Sequence, residues 1–358
     1  MRVDKLKTTS PALSILVPIY NTERYLEQAL DSLQSQTFQD FEIICINDGS
    51  TDGSRNIIQK YLDLDRRFRI IDKPNSGYGA SMNRGIKEAH GEYIGILEPD
   101  DFLEPTALNS LISKAKETDA DVVKANYWFY WSEPEERNQT ISVIKPEMAN
   151  RILDPQEEPD IYLALPSVWS AIYRRDYLLE NQIEFLETPG ASFQDLSFTF
   201  KIWAYTHIVY LLEEPILHYR QDNEASSVNN PEKAFCVCTE LEEIERTLES
   251  LPDDQQKKLK PFVYRMKYDN YMWNYQRLAP ELRKQFLKRM VQDLRRGREE
   301  GNYKPEIFGS WQAKNLEYLV KNPDDFYKKF PINPSRSQKA WYYFKLGGPK
   351  LLLDAFNR

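Results

Sequence analysis

The feature that most narrows the fold is an alternation in the first hundred residues. Leu13–Pro18, Phe41–Ile46, Phe68–Ile71 and Tyr93–Leu97 are short apolar runs, read as strands. Between them, Thr22–Gln36, Ser54–Leu62 and Ala80–Ala89 have helical patterning, as with Tyr25, Leu26, Ala29, Leu30 and Leu33 in the first. Strands and helices alternating over such short connections imply βαβ units. The fold class is therefore α/β, with a mostly parallel central sheet flanked by helices.

In such sheets ligands bind beyond the carboxyl ends of the strands. Those ends read Pro18-Ile19-Tyr20-Asn21, Asn47-Asp48-Gly49-Ser50, Lys73-Pro74-Asn75-Ser76-Gly77-Tyr78-Gly79 and Glu98-Pro99-Asp100-Asp101. All are polar or glycine-rich, and all are expected along one edge. Adjacent carboxylates at Asp100-Asp101 cannot both be buried without a partner. A hard divalent cation with oxygen ligands, Mg2+ or Mn2+, would supply one. A solvated turn whose acids cap the next helix accounts for the same residues. Asp48 is likewise either a turn residue or an acceptor for a bound base or ribose. Gly77-Tyr78-Gly79 opens a helix whose first N–H groups suit a phosphate.

Composition excludes several classes. The 358 residues carry a net charge of −8, against a protein that coats nucleic acid. Three cysteines without a C-x-x-C spacing, and three histidines without clustering, argue against a disulfide framework or a zinc site. No segment has the roughly 20 apolar residues that cross a bilayer. The expected location is the reducing cytoplasm.

Further on, Thr106–Glu117 is expected as a helix, Val122–Trp131 as a strand and Ser132–Asp160 as an irregular excursion. Val168–Arg174 is expected as a strand, with a helix from Asp176. Phe193–Tyr205 follows as a helix, then Ile208–Leu212 and Ile216–Arg220 as separate strands. Long charged helical patterns follow Pro231: Glu232–Leu251, Asp253–Arg277 and Pro280–Glu300. The expected domains are 1–230 (halves 1–105 and 106–230) and a helical 231–358.

Three stretches, "SILVPIYNTERYLEQALDSLQSQTFQDFEIICINDGSTDGS", "KPNSGYGASMNRGI" and "GEYIGILEPDDFLEP", resemble in order and spacing the nucleotide-sugar half of family 2 glycosyltransferases, which have the GT-A fold. The resemblance continues more weakly through "VWSAIYRRDYL", "GASFQDLSFTFKIWA" and "ILHYRQDNEASSV", to about residue 228. It implies that Pro18, Tyr20, Asn21 and Glu23 line a nucleotide pocket and that Asp48 contacts the base. Asn75, Gly77, Gly79 and Asn83 would shape the sugar-diphosphate side. Asp100 and Asp101 would serve the metal, Asp100 also the ribose. Asp195 takes the position of the catalytic base, His218 that of a late metal- or diphosphate-contacting residue and Trp169 that of the acceptor wall. Arg220, Ser226 and Ser227 would close over the diphosphate.

Three departures stand out. The first acid of the metal turn is Glu98, followed by proline. Gln194 replaces the acid that usually precedes the base. Ser81-Met82-Asn83 replaces Ala-Arg-Asn, with Arg84 next.

The implied reaction is metal-dependent transfer of a sugar, with inversion, from a nucleotide-diphosphate donor, UDP-linked by family preference. The acceptor is a hydroxyl of a glycan, lipid-linked or protein-linked molecule in cell-surface polysaccharide synthesis. The alternatives are a degenerate sugar-nucleotide binder and a nucleotidyltransferase; the latter would want a basic Gly-rich loop where Pro18–Thr22 stands. The tail, with aromatics and lysines over Lys339–Lys350 and then Leu351–Leu353, suits either the inner membrane surface or packing on this chain or a second copy. Gly347-Gly348-Pro349 interrupts any single amphipathic helix and favours packing.

Overall fold

The computed structural model describes residues 10–223, 233–331 and 334–356. Two compact units form, 1–226 and 227–358. The boundary expected at 230, with Ser226 and Ser227, lies outside the described residues.

In the first unit the expected alternation is present: β1 (Leu13–Ile19), α1 (Glu23–Gln34), β2 (Phe41–Asn47), α2 (Ser54–Leu64), β3 (Phe68–Asp72), α3 (Tyr78–Glu88) and β4 (Tyr93–Ile96). Then come β5 (Phe102–Leu103), α4 (Ala107–Thr118), β6 (Val122–Trp131), β7 (Arg137–Ile141), β8 (Arg151–Leu153), β9 (Ala171–Arg174), α5 (Arg175–Glu180), α6 (Gln194–Tyr205) and β10 (Val209–Arg220). The main path of the sheet runs β3-β2-β1-β4-β9-β6-β10-β5, with β7 on β6 and β8 on β10. β3, β2, β1, β4, β6 and β10 all run one way; the short β5, β7, β8 and β9 run against them.

Register sets the functional edge. Ile19 pairs with Asn47, and Asn47 with Asp72, so three strands end level. Every residue of β1 is buried, as a strand covered on both faces requires. Leu26, Ala29, Leu30 and Leu33 of α1 pack beneath it.

Three expectations change. Val168–Ser170 is a single 3-10 turn, so Trp169 stands on a turn ahead of β9. The two strands expected at 208–220 are one strand, irregular between Leu212 and His218 where Pro215 cannot donate to the ladder. The 132–160 excursion contributes β7 and β8 to the sheet.

The second unit is helical: α7 (Cys236–Ser250), α8 (Asp253–Arg277), α9 (Pro280–Glu299), α10 (Ser310–Lys321), α11 (Pro323–Lys329) and α12 (Arg336–Phe356). α12 breaks at Gly347 and Gly348, Gly348 having φ 73°. Its Tyr342 is buried against Phe330 and donates to Asn315 Oδ1 at 2.7 Å, whereas Trp341, Phe344 and Leu353 stay exposed. One face of the tail therefore packs on its own unit.

Candidate active site

The tip of β4 carries three acids in unlike surroundings. Glu98 and Asp100 are partly open, while Asp101 is 1% exposed. Asp101 Oδ1 accepts from the Arg220 backbone N–H at 2.8 Å. Its Oδ2 is buried and has no hydrogen-bond partner among the described residues. Burial, then the neighbouring Asp100, push its carboxyl well above the carboxylate range. Asp100 Oδ2 accepts from Asn223 Nδ2 at 2.7 Å. Glu98 is inside the site: Tyr78 Oη donates to its Oε1 at 2.7 Å. Burial pushes the Glu98 carboxyl up to about 8 despite that bond, with Asp100 and Asp195 adding to the rise.

Asp195 arrives from a different segment. Phe193, left-handed at φ 62°, turns the chain just ahead of α6, an uncommon conformation of the kind that clusters at functional sites. Asp195 then lies in the first turn, where its carboxylate accepts from its own and Leu196's backbone N–H groups. Burial nevertheless raises it to about 7, the Lys124 ammonium opposing the rise. Acids far apart in sequence thus share one corner of the sheet edge.

Lys124 was not anticipated, although a lysine inside the apolar run Val122–Trp131 is a legible signal. It is 2% exposed on β6. Its ammonium donates to Ser167 O and Oγ, both at 2.7 Å, and to Ser170 Oγ at 3.0 Å. These bonds fix the turn that carries Trp169. Burial lowers the ammonium to about 7, with Asp195 supporting its charge.

The other expected residues divide in two. Tyr20 (50% exposed) and Asn75 stand open at the strand tips. Pro18 is buried within β1. Asn21 Oδ1 accepts from Thr51 N at 2.8 Å and Glu23 Oε2 from Gly53 N at 2.5 Å, so both tie the first loop to the second. Asp48, 5% exposed, holds Ser76 N at 2.8 Å and Gly77 N at 2.9 Å and pairs with Lys73. A cavity of about 430 Å³ lined by Asp72, Lys73, Ser76, Arg84, Lys87 and Glu187 adjoins that loop rather than the acids.

Several residues to which the resemblance assigns a donor role are packed against protein. Gly77 (φ 92°) and Gly79 lie under residues 186–190: a Cβ on Gly77 would meet Thr188 O at 2.9 Å, and one on Gly79 the Leu186 carbonyl carbon at 2.8 Å. Tyr78 N donates to Gly190 O, so protein backbone meets this helix start where a phosphate was expected. Asn83 is buried, its amide bonded to Phe185 N at 2.9 Å, Phe185 O at 3.0 Å and Glu187 Oε1 at 3.1 Å. Gln194 Nε2 donates to Thr188 Oγ1 and Gly190 O, and its Oε1 accepts from Ser192 N; a glutamate could not do both. Arg84 is exposed and paired with Glu88.

His218 and Arg220 are likewise engaged with neighbouring protein groups. The His218 ring is sandwiched between Phe102 (4.3 Å) and Trp128 (4.7 Å). Its Nδ1 lies 2.8 Å from Asn138 Oδ1 and its Nε2 2.7 Å from Glu104 Oε1, so both nitrogens are engaged away from Asp100 and Asp101. Arg220, 5% exposed, donates from Nε to Asp100 O and from Nη1 to Ser132 Oγ, with Tyr25 and Tyr130 against its guanidinium. It braces the acidic turn and has no freedom to close over a ligand. Trp169 is half-buried against Tyr127 and Tyr219.

Comparison with known proteins fits this geometry. Residues 14–181 match the profile of the family described as Glycosyl transferase family 2. EpsH of Bacillus subtilis (strain 168), a protein named as a glycosyltransferase, is 33% identical over 217 residues, 59% of this chain; the chain covers 61% of EpsH. TarS 1–349 of S. aureus, solved in complex with UDP, superposes with a TM-score of 0.66 at 20% identity, over 88% of this chain and 89% of that one. A mannosyltransferase of Pyrobaculum calidifontis, solved with GDP-Man and Mn2+, gives 0.53 at 13% identity, over 97% and 86%. At those identities the likeness is one of fold, GT-A.

Proposed function

We propose, from the match of residues 14–181 to the Glycosyl transferase family 2 model, that this chain is a family 2 glycosyltransferase and moves a sugar, with inversion, from a nucleotide-diphosphate donor to an acceptor hydroxyl in polysaccharide synthesis. The observation that carries the reading is the meeting of Asp195 with the Glu98–Asp101 turn at the carboxyl edge of the sheet.

Asp195 receives the proton of the acceptor hydroxyl. The acceptor oxygen forms its bond to the anomeric carbon as the bond to the diphosphate oxygen breaks on the opposite face, which inverts that centre; the nucleoside diphosphate leaves with the bonding pair. A carboxyl at about 7 suits such a base near neutral pH. The half-buried Trp169 walls the acceptor side. Tyr20 and Asn75 meet the nucleotide, for which UDP is the favoured base-and-diphosphate by analogy with TarS.

Asp100 and Asp101 fit a divalent cation: Asp101 Oδ2 is an orphaned buried oxygen beside a second carboxylate. Mg2+ or Mn2+ held there would neutralise charge on the leaving diphosphate. In the second unit, exposed Trp341, Phe344 and Leu353 beside Lys345 suit contact with an anionic membrane carrying a lipid-linked acceptor. Co-sedimentation with anionic vesicles tests that; concentration-dependent dimerisation without vesicle binding supports a second copy instead.

The central test is Asp195→Asn, assayed for transfer across a panel of nucleotide sugars with and without Mn2+. Donor binding should persist while turnover falls by about 10²-fold or more. Undiminished turnover defeats the base assignment; a chain that binds donors but turns none over is a binding protein.

A further inference from the structure

The helical unit holds a groove that no step of the proposed reaction uses. It measures about 530 Å³ and lies between α9 and α11. Lys284, Lys288 and Arg295 of α9 stand along one wall, and the partly exposed Tyr327 of α11 stands in the other. Leu287 and Val291 also line it and are almost wholly buried, at 5% and 6% exposure. Lys284 and Lys288 are one helical turn apart, and like charges at that spacing destabilise a helix. Neither lysine has a hydrogen bond or an ion pair among the described residues. Elsewhere in the same unit such lysines are matched: Lys321 pairs with Glu317 and Lys329 with Asp325, each one turn away. Arg295 donates from Nε to the Val320 carbonyl oxygen at 3.1 Å, a neutral acceptor. Three cations thus line one wall without a carboxylate partner, in a chain of net charge −8. Arg296, at the same wall, is already paired with Glu245 at 3.2 Å. Two acids, Asp324 and Glu299, complete the charged lining and pair with none of these cations.

A wall of uncompensated cations is complementary to an anion. A bilayer surface fits it poorly, because helices that lie on membranes present apolar side chains outward, whereas Leu287 and Val291 are buried. A continuous polyphosphate would meet Asp324 and Glu299, which repel it. A strand with spaced charges and apolar ring faces suits every lining group: its carboxylates or phosphates meet Lys284, Lys288 and Arg295, and a ring face meets Tyr327. We propose that the groove between α9 and α11 binds a strand of acidic carbohydrate and so holds the acceptor or product glycan on the enzyme. The holding role rests on the transferase reading given above; the binding does not.

The test measures binding to the full-length chain, without donor, by calorimetry. The probes are an oligogalacturonate, a neutral malto-oligosaccharide of equal length, inorganic polyphosphate, and vesicles of phosphatidylglycerol. Wild type should bind the oligogalacturonate, more weakly as salt is raised, and should not bind the malto-oligosaccharide. The double variant Lys284→Gln, Lys288→Gln should weaken oligogalacturonate binding about five- to thirtyfold, the range of two exposed charge pairs. Its melting temperature should hold, because neither lysine has a partner to lose. Tyr327→Leu should weaken the oligogalacturonate and leave polyphosphate unchanged. No binding of the oligogalacturonate, or undiminished binding in the double variant, overturns the site. Tighter binding of polyphosphate than of oligogalacturonate, lost in the double variant, overturns the carbohydrate assignment. Vesicle binding lost in the double variant, with no oligogalacturonate bound, makes the groove a membrane contact and overturns it likewise. Because no turnover is measured, each failure is separate from that of Asp195→Asn, which reports on the base alone.

Discussion

Gly79→Ala discriminates between two roles for one residue. The family resemblance puts Gly79 against the donor diphosphate; the structure puts it under Leu186. A Cβ there would lie 2.8 Å from the Leu186 carbonyl carbon and closer still to its oxygen, where ordinary contact begins at 3.4 Å. The carbonyl carbon alone needs 0.6 Å, from 3.4 − 2.8, to reach ordinary contact, and the nearer carbonyl oxygen needs more, so the segment must retreat by roughly 1 Å or more. Tyr78 N–Gly190 O and Gln194 to Thr188 and Gly190 transmit that shift toward Asp195. A misplacement near 1 Å costs about 10²-fold in rate, so kcat should fall roughly 10-fold or more. Overpacking of this kind costs about 1–3 kcal/mol. At about 2–4 °C per kcal/mol for a unit of this size, the melting temperature should drop by about 2–12 °C. Donor KM should stay within about twofold. Transfer kinetics and thermal unfolding of the same preparation decide the matter. If donor KM rises tenfold while kcat and melting temperature hold, Gly79 faces the donor and the packing argument is wrong.

Other outcomes follow from the same geometry. Asn83→Ala orphans the buried Phe185 N–H and C=O, about 1–3 kcal/mol each at most; melting temperature falls and donor KM does not, whereas a KM effect alone would restore Asn83 to the donor site. Asp195 works as a base only when ionised, so kcat/KM should rise with pH through about 7. Lys124→Met removes the cation that favours the charged carboxylate and should move that limb to higher pH; a limb near 4 in wild type contradicts the buried carboxyl. Chelation should abolish transfer and Mn2+ restore it. Asp100→Asn should raise the Mn2+ needed for half-maximal rate, and His218→Gln should leave it unchanged because Asn138 and Glu104 already take both ring nitrogens.

The βαβ alternation was readable because strand and helix periodicity are local, and continuous apolar runs such as Leu13–Ile19 announce burial on both faces. Asp195 and the Glu98–Asp101 turn were identifiable from motif order. Long-range partners carried no local mark. Asn83 and Gly77-Tyr78-Gly79 look like ligand-loop residues until residues 185–190 fold over them. Arg220 looks free until Asp100, Ser132 and Gln28 surround it.

The division is clearest at the tip of β4. The sequence by itself determined that a buried strand ends in three acids, because hydrophobic patterning fixes where the strand stops. Only the tertiary structure decided their surroundings. Asp101 turns inward to the Arg220 backbone, and Glu98, whose part the sequence left open, turns in to Tyr78 near Asp195. The reason is physical: a carboxylate's state depends on its desolvation and on which donors face it, and those come from other segments, Tyr78 from 20 residues before Glu98 and Arg220 from 119 residues after Asp101.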